Sequence, residues 1–410
     1  MANQFATPSW TLKETGRKFE DSVRFVNHIE RKYSDEFEQA GAKVGNTISY
    51  RLPQQFTVSD GAALDLQNLY DQTVPISLTN QKHVDMSWSA WQETTEVEDA
   101  RNRYINKAAQ HLAASIDALA FSTVYRDVSN SIGTPGTTPA TNLLYLQAGR
   151  KLDDLGAPSD GRAAVLDSEA MIVLVNANLS SFNPSGTISE GFRKGMFGRN
   201  VLNIDEWYTT TNRPLFTTGA ATSASSPRVN GANQTGSSLI TSGWGSGATN
   251  LKKGDVITIA GVYAMNPLGK VSTGRLRQFV LTADVSDSTG AATLSISPSI
   301  VTSGAYQNVS NVPADTAVIT LWSMADAGTQ AATASPTGMI FHKEAFAGVT
   351  ADLAMPSSGA KATRISSPAR GFALRMAETW DVQTDQNITR IDTLVGFATT
   401  RADFACRVQG

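Results

Sequence analysis

The side chains that most often carry out catalysis or bind metals are few in this sequence and lie far apart. Its four histidines are His28, His83, His111 and His342, and no two of them have the H-x-x-x-H spacing of a zinc-binding helix. The single cysteine, Cys406, excludes an intrachain disulfide and any cysteine cluster around zinc or iron–sulfur. It falls in a predicted strand, where a buried thiol is expected. We therefore predict no metal, no cofactor, and histidines that are packed or at the surface.

Motifs for phosphate binding and for nucleophilic catalysis are also missing. The sequence has no G-x-x-x-x-G-K-[ST] loop and no G-x-S-x-G turn, and its nearest dinucleotide-like run, GWGSGA from Gly243, follows no predicted strand. The acidic pair Asp153–Asp154 lies beside Lys151 at a helix end, which is typical of a solvated face. Catalytic carboxylates need not be neighbours in sequence, so an enzyme with a split site remains an alternative, with no residue nominated for it.

The composition is that of a folded protein with little charge. Its 410 residues are 41% hydrophobic and 17% charged, enough for two or three domains, and the formal net charge of −3 gives no general attraction to nucleic acid. The longest apolar run, near residues 170–175, is too short to cross a bilayer. The first ten residues show no signal-peptide pattern, so we expect folding in a cytoplasm.

The elements of the first third centre on one long helix. Residues 95–124 contain no Gly or Pro and begin with a capping box, Thr95 and Glu98, so they predict a helix of about 45 Å. Residues 11–40 predict an amphipathic, charged helix. Between the two helices, strand-like runs at 46–58 and 73–89 flank a long polar link. A two-stranded excursion has little core of its own, which favours a loop that lies on another subunit.

The remainder predicts a small α/β lobe, an inserted β domain and a closing sheet. The lobe has helices at 141–155 and 168–179, the second capped by Asp167, and strands at 163–166 and 201–208. A Gly/Ser/Thr-rich stretch, 217–250, predicts surface loop, and the strand-like runs after it suggest a small barrel or sandwich at 255–263, 275–283, 291–297 and 317–322. The closing elements are a strand at 337–341, a helix at 343–351 and strands at 372–381, 388–399 and 402–408, with Phe372, Leu374, Met376 and Trp380 mostly on one face.

This order of elements resembles that of the major capsid proteins of tailed double-stranded-DNA phages, the HK-97-like fold. It is most similar to the branch typified by the coat protein of phage P-22, which carries an extra β-barrel. The resemblance extends over nearly the whole chain. The segments that carry it are RFVNHIERKY, SYRLPQQFTVSDG, TVPISLTNQKHVDMSWS, VEDARNRYINKAAQHLAASIDALA, LKKGDVITIAGVYAMNP, AYQNVSNVPADTAVITLW, IFHKEAFAGVTADL and GFALRMAETWDVQTDQNITRIDTLVGFATTRADFACRV.

The resemblance implies an α+β shell subunit of six parts. They are an N-terminal arm (1–45), an extended-loop hairpin (46–90), a peripheral domain with a spine helix (91–140), an axial α/β domain (141–219), an inserted all-β barrel (220–336) and closing strands (337–410). It further implies self-assembly as pentamers and hexamers of an icosahedral shell in the virion, built in the bacterial host cytoplasm. The implied partners are a scaffolding protein, a portal protein and packaged double-stranded DNA bound non-specifically, with no membrane.

In the resembled family the scaffold contact is electrostatic and involves the N-terminal region. The assembly candidates on that basis are the basic residues Lys13, Arg17, Lys18, Arg24, Arg31 and Lys32. The main competing interpretation is a β-rich surface or adhesion protein, suggested by the Gly/Ser/Thr-rich middle. The missing signal pattern and the long charged helices argue against it.

Overall fold

A computed structural model describes most of the chain as two compact units. The described residues are 16, 19, 22–33, 47–62, 64–70, 72–89, 91, 99–178, 201–222, 227–244, 249–287, 290–322, 329–357, 359–367 and 372–409. Unit 1 comprises Met1–Tyr50, Thr73–Phe121 and Phe346–Ala398, and unit 2 comprises Arg51–Gln72, Ser122–Ala345 and Thr399–Gly410.

The helices and strands are numbered in chain order. The α-helices are α1 (Asp99–Tyr125), α2 (Asn142–Asp154) and α3 (Ser168–Asn178), and short 3-10 turns lie at Val26–His28, Lys343–Ala345 and Ala402–Phe404. The first twelve strands are β1 (Glu30–Tyr33), β2 (Thr47–Leu52), β3 (Gln72–Ser77), β4 (Asn80–Ser89), β5 (Asn130–Ile132), β6 (Arg162–Leu166), β7 (Glu206–Thr209), β8 (Phe216–Thr217), β9 (Ala221–Thr222), β10 (Arg228–Val229), β11 (Gly236–Ser242) and β12 (Thr249–Leu251). The others are β13 (Val256–Met265), β14 (Ser272–Leu281), β15 (Val285–Asp287), β16 (Ala291–Ile300), β17 (Ile319–Leu321), β18 (Thr329–Gln330), β19 (Ala334–Ser335), β20 (Gly338–His342), β21 (Phe346–Ala351), β22 (Lys361–Ser367), β23 (Phe372–Asp381), β24 (Gln386–Thr399) and β25 (Ala405–Val408).

Unit 1 is built on a six-stranded sheet in the order β1-β21-β24-β23-β22, with β4 also paired to β24. Strand β1 runs parallel to β21, and β4, β22, β23 and β24 form antiparallel pairs. Ile76 of β3 and Leu78, just after that strand, pack into one cluster with Ala347 and Val349 of β21. The alternation predicted for residues 73–89 is confirmed, because exposed and less exposed side chains alternate along β4.

Helix α1 follows the prediction for a long helix at 95–124. Its described bounds are Asp99–Tyr125, and the predicted capping box at Thr95 and Glu98 lies outside the described residues. Buried residues recur every three or four positions along it, at Ile105, Ala109, Leu112, Ile116 and Ala120. Tyr104, which the three-to-four spacing of apolar residues in the sequence also assigns to the buried face, is exposed.

Unit 2 contains an α/β lobe whose five-stranded sheet has the order β5-β25-β20-β6-β7. The outer pairs β5–β25 and β6–β7 are parallel, and the inner pairs with β20 are antiparallel. Helix α2 buries Tyr145, Ala148 and Leu152 and ends at Asp154, close to the predicted end at 155. Gly156 follows with a positive φ of 75°, which suits a residue without a Cβ. Asp167 directly precedes α3, as predicted for its cap: its C=O accepts from Met171 N at 2.9 Å, and its Oδ1 accepts from the adjacent Ser168 N at 2.8 Å.

Residues 220–336, the segment predicted to be an insertion and called the insertion below, contain a second six-stranded sheet in the order β10-β11-β16-β14-β13-β17. All of its pairs are antiparallel. Its two edges are joined, because Arg228 forms a bridge with Val318 and Val229 N donates to Ala317 O at 2.9 Å. The short pairs β8–β19 and β9–β18 connect the insertion to the α/β lobe.

Two helix predictions were wrong, one over part of its length and the other over most of it, because the residues pair with distant strands. The helix predicted at 11–40 does not include Glu30–Tyr33, which pair with Ala347–Thr350 as a parallel strand. The helix predicted at 343–351 is one 3-10 turn followed by the strand β21. In both places the partner strand lies far away in sequence, and tertiary pairing overrides the local helical pattern.

The β region also differs from the prediction in two places. Residues 217–250, predicted as loop, contain β11, whose Leu239 and Thr241 are buried in the insertion. On β23, Leu374 and Met376 are buried as predicted, but Trp380 is exposed near the strand end. A further helical turn, which the sequence favours at 188–194, lies outside the described residues.

Candidate assembly surfaces and the contacts that support them

The basic candidates of the N-terminal region do not form one cluster. Arg24 is exposed just before the 3-10 turn, and Arg31 and Lys32 are neighbours on β1. The guanidinium of Arg31 donates to Asn27 Oδ1 at 3.4 Å, so this side chain is partly engaged within the chain. Lys13, Arg17 and Lys18 lie outside the described residues. Among the described side chains of these six candidates, Arg24 is therefore the one that is exposed.

The segment around Arg24 is fixed to unit 1 by a buried carboxylate. Asp117 Oδ1 accepts a 3.0 Å hydrogen bond from Val26 N, and the Phe25 ring packs between Phe121 and Phe346 at centroid distances of 5.1 and 5.9 Å. Burial raises the pKa of Asp117 to about 6, although the backbone N–H groups of residues 24–26 and the charge of Arg24 act in the opposite direction. The sequence signal was a lone Asp in the apolar half of α1, and sequence reasoning missed it.

The loop between β2 and β3 exposes a group of large apolar side chains. Its two legs, residues 53–60 and 64–70, have no strand assignment. Six large apolar side chains on them are more than half exposed: Phe56 55%, Val58 93%, Leu64 84%, Leu66 82%, Leu69 77% and Tyr70 66%. Apolar side chains grouped on so thin a segment have no core of their own to bury them, and exposed patches of this kind mark interaction sites.

The junction between the insertion and the α/β lobe is polar. Lys151 Nζ on α2 donates to Ser131 O at 2.8 Å and to Gln278 Oε1 on β14, and it lies 4.9 Å from the centre of the Trp322 ring. The pKa of Lys151 is lowered to about 8, first by burial and also by the charges of nearby arginines. Since Gln278 and Trp322 belong to the insertion, Lys151 contacts both its middle and its last strand region.

A second contact of the same junction uses a buried arginine. Arg407 Nη1 on β25 donates to Gly254 O of the insertion at 2.6 Å. Its guanidinium lies over the rings of Tyr125 and Phe216, at 4.7 and 5.6 Å from their centroids. These contacts hold the first strands of the insertion against the closing strand of the lobe.

In the described part of the chain, the histidines and the cysteine considered for metal binding or catalysis have packed or surface positions. No group of three His, Cys, Asp or Glu side chains among them is placed to hold a metal ion. His342 is buried against the Phe404 ring and His111 is exposed, in line with the packed and surface roles predicted for them. Cys406 is a buried free thiol, as predicted, and its burial raises its pKa to about 11. No helix in the described part of the chain has the length and apolar character needed to span a membrane.

Comparison with protein families gives a match over almost the entire chain. The family described as "P22 coat protein - gene protein 5" matches residues 9–408. The chain belongs to this family. It is therefore a major capsid protein of a tailed phage, a class of structural proteins that assemble into the virion shell. None of the curated proteins matches this coat protein.

Several solved phage structures are similar to this coat protein at low identity. A chain from Mycobacterium phage Che8 is 12% identical, with a TM-score of 0.46, 94% of this chain covered and 90% of that one. The capsid of cyanophage P-SCSP1u is 12% identical, with a TM-score of 0.43 and coverage of 100% and 90%. The CUS-3 coat protein I-domain is 25% identical over 27% of this chain and 99% of its own, with a TM-score of 0.17.

Proposed function

We propose that this coat protein builds a closed icosahedral shell of pentamers and hexamers in which the loop between β2 and β3 lies on a neighbouring copy. The exposed apolar surface of residues 53–70 carries the proposal. Burial of such side chains stabilises association by about 25 cal/mol per Å² of apolar surface. Each contact can be modest, because a closed symmetric shell repeats it in every subunit.

The architecture is proposed to be HK-97-like, with the six parts stated above. In this assignment α1 is the spine helix, β2 to β4 and their link form the extended loop, and the insertion is a β-barrel. The bridge between Arg228 and Val318, which joins the two edges of the insertion sheet, supports the barrel. Residues 30–33 of the proposed arm pair in parallel with β21 and so belong to the sheet of unit 1.

The partners proposed for the assembly are a scaffolding protein, a portal protein and packaged double-stranded DNA, with assembly in the bacterial cytoplasm. For the scaffold contact the proposed residues are Lys13, Arg17, Lys18, Arg24, Arg31 and Lys32. The exposure of Arg24 supports its inclusion, and an electrostatic contact would weaken with added salt. Scaffold binding unaffected by salt would remove these residues from consideration.

Expression of the chain alone, and together with its neighbouring reading frames, tests the shell directly. Size-exclusion chromatography followed by negative-stain electron microscopy should show closed shells or polyheads. The loop is tested by Leu66→Asp, which places a charge on the exposed apolar surface, with Leu66→Met as the control that keeps it apolar. We expect folded, unassembled subunits for Leu66→Asp and normal particles for Leu66→Met. If the unaltered chain stays a discrete monomer or dimer, both alone and with its neighbouring reading frames, the proposed shell function is wrong.

A further inference from the structure

We infer that Gln54 and Gln67 are positioning residues that brace the extended loop, residues 53–70, so that each subunit presents it already ordered to a second copy of the chain. The inference rests on the proposed assembly through this loop. The two glutamines give the loop a defined shape, although it has neither a core nor a β-ladder among its described residues.

The two legs of the loop are joined by side-chain amides in place of backbone pairing. Gln54 Oε1 accepts from Tyr70 N at 2.9 Å and Gln54 Nε2 donates to Asn68 O at 2.8 Å. Among the described residues of the loop, no backbone–backbone hydrogen bond links one leg to the other. Because a Gln side chain carries one amide oxygen and one NH₂ group, it can satisfy an N–H and a C=O of the facing leg together.

The second brace runs in the opposite direction. Gln67, on the second leg, reaches back to Thr57 on the first: its Oε1 accepts from Thr57 N at 2.9 Å and its Nε2 donates to Thr57 O at 2.6 Å. Nearer the tip, Ser59 Oγ donates to Asp65 Oδ2 at 2.6 Å. The legs are thus tied at three levels, and two of these ties come from glutamines that each form a pair of bonds.

The braces explain why the apolar side chains of this loop stay outside. Gln54, Thr57 and Gln67 are partly buried between the legs, whereas Phe56, Val58 and the leucines of the second leg are exposed. Ordering a loop costs conformational entropy, and a loop ordered in advance does not pay that cost on docking. The occupant that fits is a second copy of this chain, since the family assembles from identical subunits.

The neighbouring glutamine supplies a matched control. The side chain of Gln55 makes no hydrogen bond within the described residues, and only its backbone N–H contacts Tyr306 Oη, at 3.5 Å. Substitution by Met keeps the length of a glutamine side chain and removes its amide. We therefore compare Gln54→Met and Gln67→Met with Gln55→Met, which leaves the backbone contact to Tyr306 in place.

Amide hydrogen exchange of the unassembled, full-length subunit tests the braces themselves. Gln67→Met should speed exchange at Thr57 N–H by about fivefold, and Gln54→Met should do so at Tyr70 N–H, as expected for the loss of one hydrogen bond. Each variant should leave the other amide and the thermal unfolding midpoint nearly unchanged, and Gln55→Met should change neither amide. Equal exchange at Thr57 and Tyr70 in the unaltered chain and in all three variants would overturn the braces.

The subunit concentration needed for assembly tests the positioning role. We expect Gln54→Met and Gln67→Met to raise this threshold roughly threefold to tenfold, with shells of normal shape above it and no change for Gln55→Met. A threshold that stays the same despite faster exchange would overturn the positioning role and leave the shell function intact. Failure of the unaltered chain to form shells would instead overturn the shell function, and the exchange data would still decide whether the braces exist.

Discussion

Val26 N donates a 3.0 Å hydrogen bond to Oδ1 of Asp117, which joins the N-terminal segment to the apolar half of helix α1. The carboxyl group is almost fully buried, and its pKa is raised to about 6 from 3.8, first because of burial. A carboxyl whose pKa is raised by folding contributes stability that is complete below the unfolded value and lost as the pH rises through about 6. The ionised Asp117 therefore makes the subunit less stable at neutral pH than a neutral group would.

Asp117→Asn should reveal this cost as a pH-dependent difference. The Asn amide keeps an acceptor for Val26 N and cannot ionise. The free energy of unfolding of the variant, relative to that of the unaltered chain, should therefore rise between pH 4 and pH 7 by on the order of 2 kcal/mol. Urea denaturation of both chains across this range measures the difference. Asp60→Asn, on the exposed loop tip, is the control. A pH-independent difference for Asp117→Asn would show that Asp117 does not titrate in this range.

Asp117→Ala should act on the N-terminal segment itself. It removes the acceptor of Val26 N and leaves a buried donor unpaired, which costs about 1–3 kcal/mol and loosens the turn that follows Arg24. Because Arg24 is exposed, limited trypsin digestion should cut there faster in Asp117→Ala than in Asp117→Asn. Equal cleavage rates in the two variants would mean that the hydrogen bond does not hold the segment.

Long periodic segments were predictable from sequence, and contacts between distant segments were not. Helix α1 and strand β23 follow the predictions because their side-chain spacing and their burial agree. Residues 30–33 follow a helical pattern locally, yet they form a strand because β21 offers parallel pairing. The hydrogen bonds of Gln54 and Gln67 were not predictable for a related reason. Gln54, Gln55 and Gln67 all lie in a polar stretch of sequence, and only the folded structure shows which of their amides bind backbone groups.

Lys151→Met tests the titration of the junction between the insertion and the α/β lobe. Burial lowers the pKa of Lys151 to about 8, so unfolding takes up a proton between pH 8 and about 10.5 and this group makes the native state more stable as the pH rises. Lys151→Met should lack this rise in the free energy of unfolding. The rise should be on the order of 1–2 kcal/mol, because Lys151 is only partly buried and solvent screens its charge. At pH 7 the free energy of unfolding of Lys151→Met should lie within about 1 kcal/mol of that of the unaltered chain, because Ser131 and Gln278 still form hydrogen bonds with each other.

Denaturation midpoints at pH 7, 8, 9 and 10 measure this difference. Arg150→Met, one residue earlier on α2 at a side-chain exposure of 42%, removes a positive charge and keeps the buried amine. Because the charge of Arg150 also lowers the pKa of Lys151, the gain in stability with pH should be smaller in this control than in the unaltered chain, but present. A parallel rise in stability for Lys151→Met and the unaltered chain would assign the titration to another group.

Cys406 should be inert in the native subunit. Burial raises the pKa of its thiol to about 11, and its side chain is inaccessible, so the reactive thiolate is scarce and shielded. A disulfide reagent such as DTNB should release less than a tenth of an equivalent of product from native subunits and one equivalent after denaturation. Rapid reaction of the native chain would show that β25 opens in solution.

Arg277 and Asp403 form the ion pair whose loss should weaken the junction most. The Arg277 side chain on β14 is 1% exposed and donates to Asp403 Oδ1, whereas Asp403 is 37% exposed. Asp403→Asn leaves a buried guanidinium without its counter-charge, and breaking buried pairs costs about 3–5 kcal/mol. Because solvent still reaches the carboxylate, we expect about 1–2 kcal/mol of destabilisation in urea denaturation.

Arg277→Met should cost less than Asp403→Asn, because it removes the buried charge together with the pair. The double variant should then recover part of the stability that Asp403→Asn loses, giving a coupling energy of about 1 kcal/mol in the cycle. The control is Arg275→Met, which removes the neighbouring pair with Asp154 at side-chain exposures of 47% and 30% and should change stability by less than about 1 kcal/mol. Purely additive effects in the Arg277–Asp403 cycle would mean that burial of the arginine, and not its pairing, holds this part of the insertion in place.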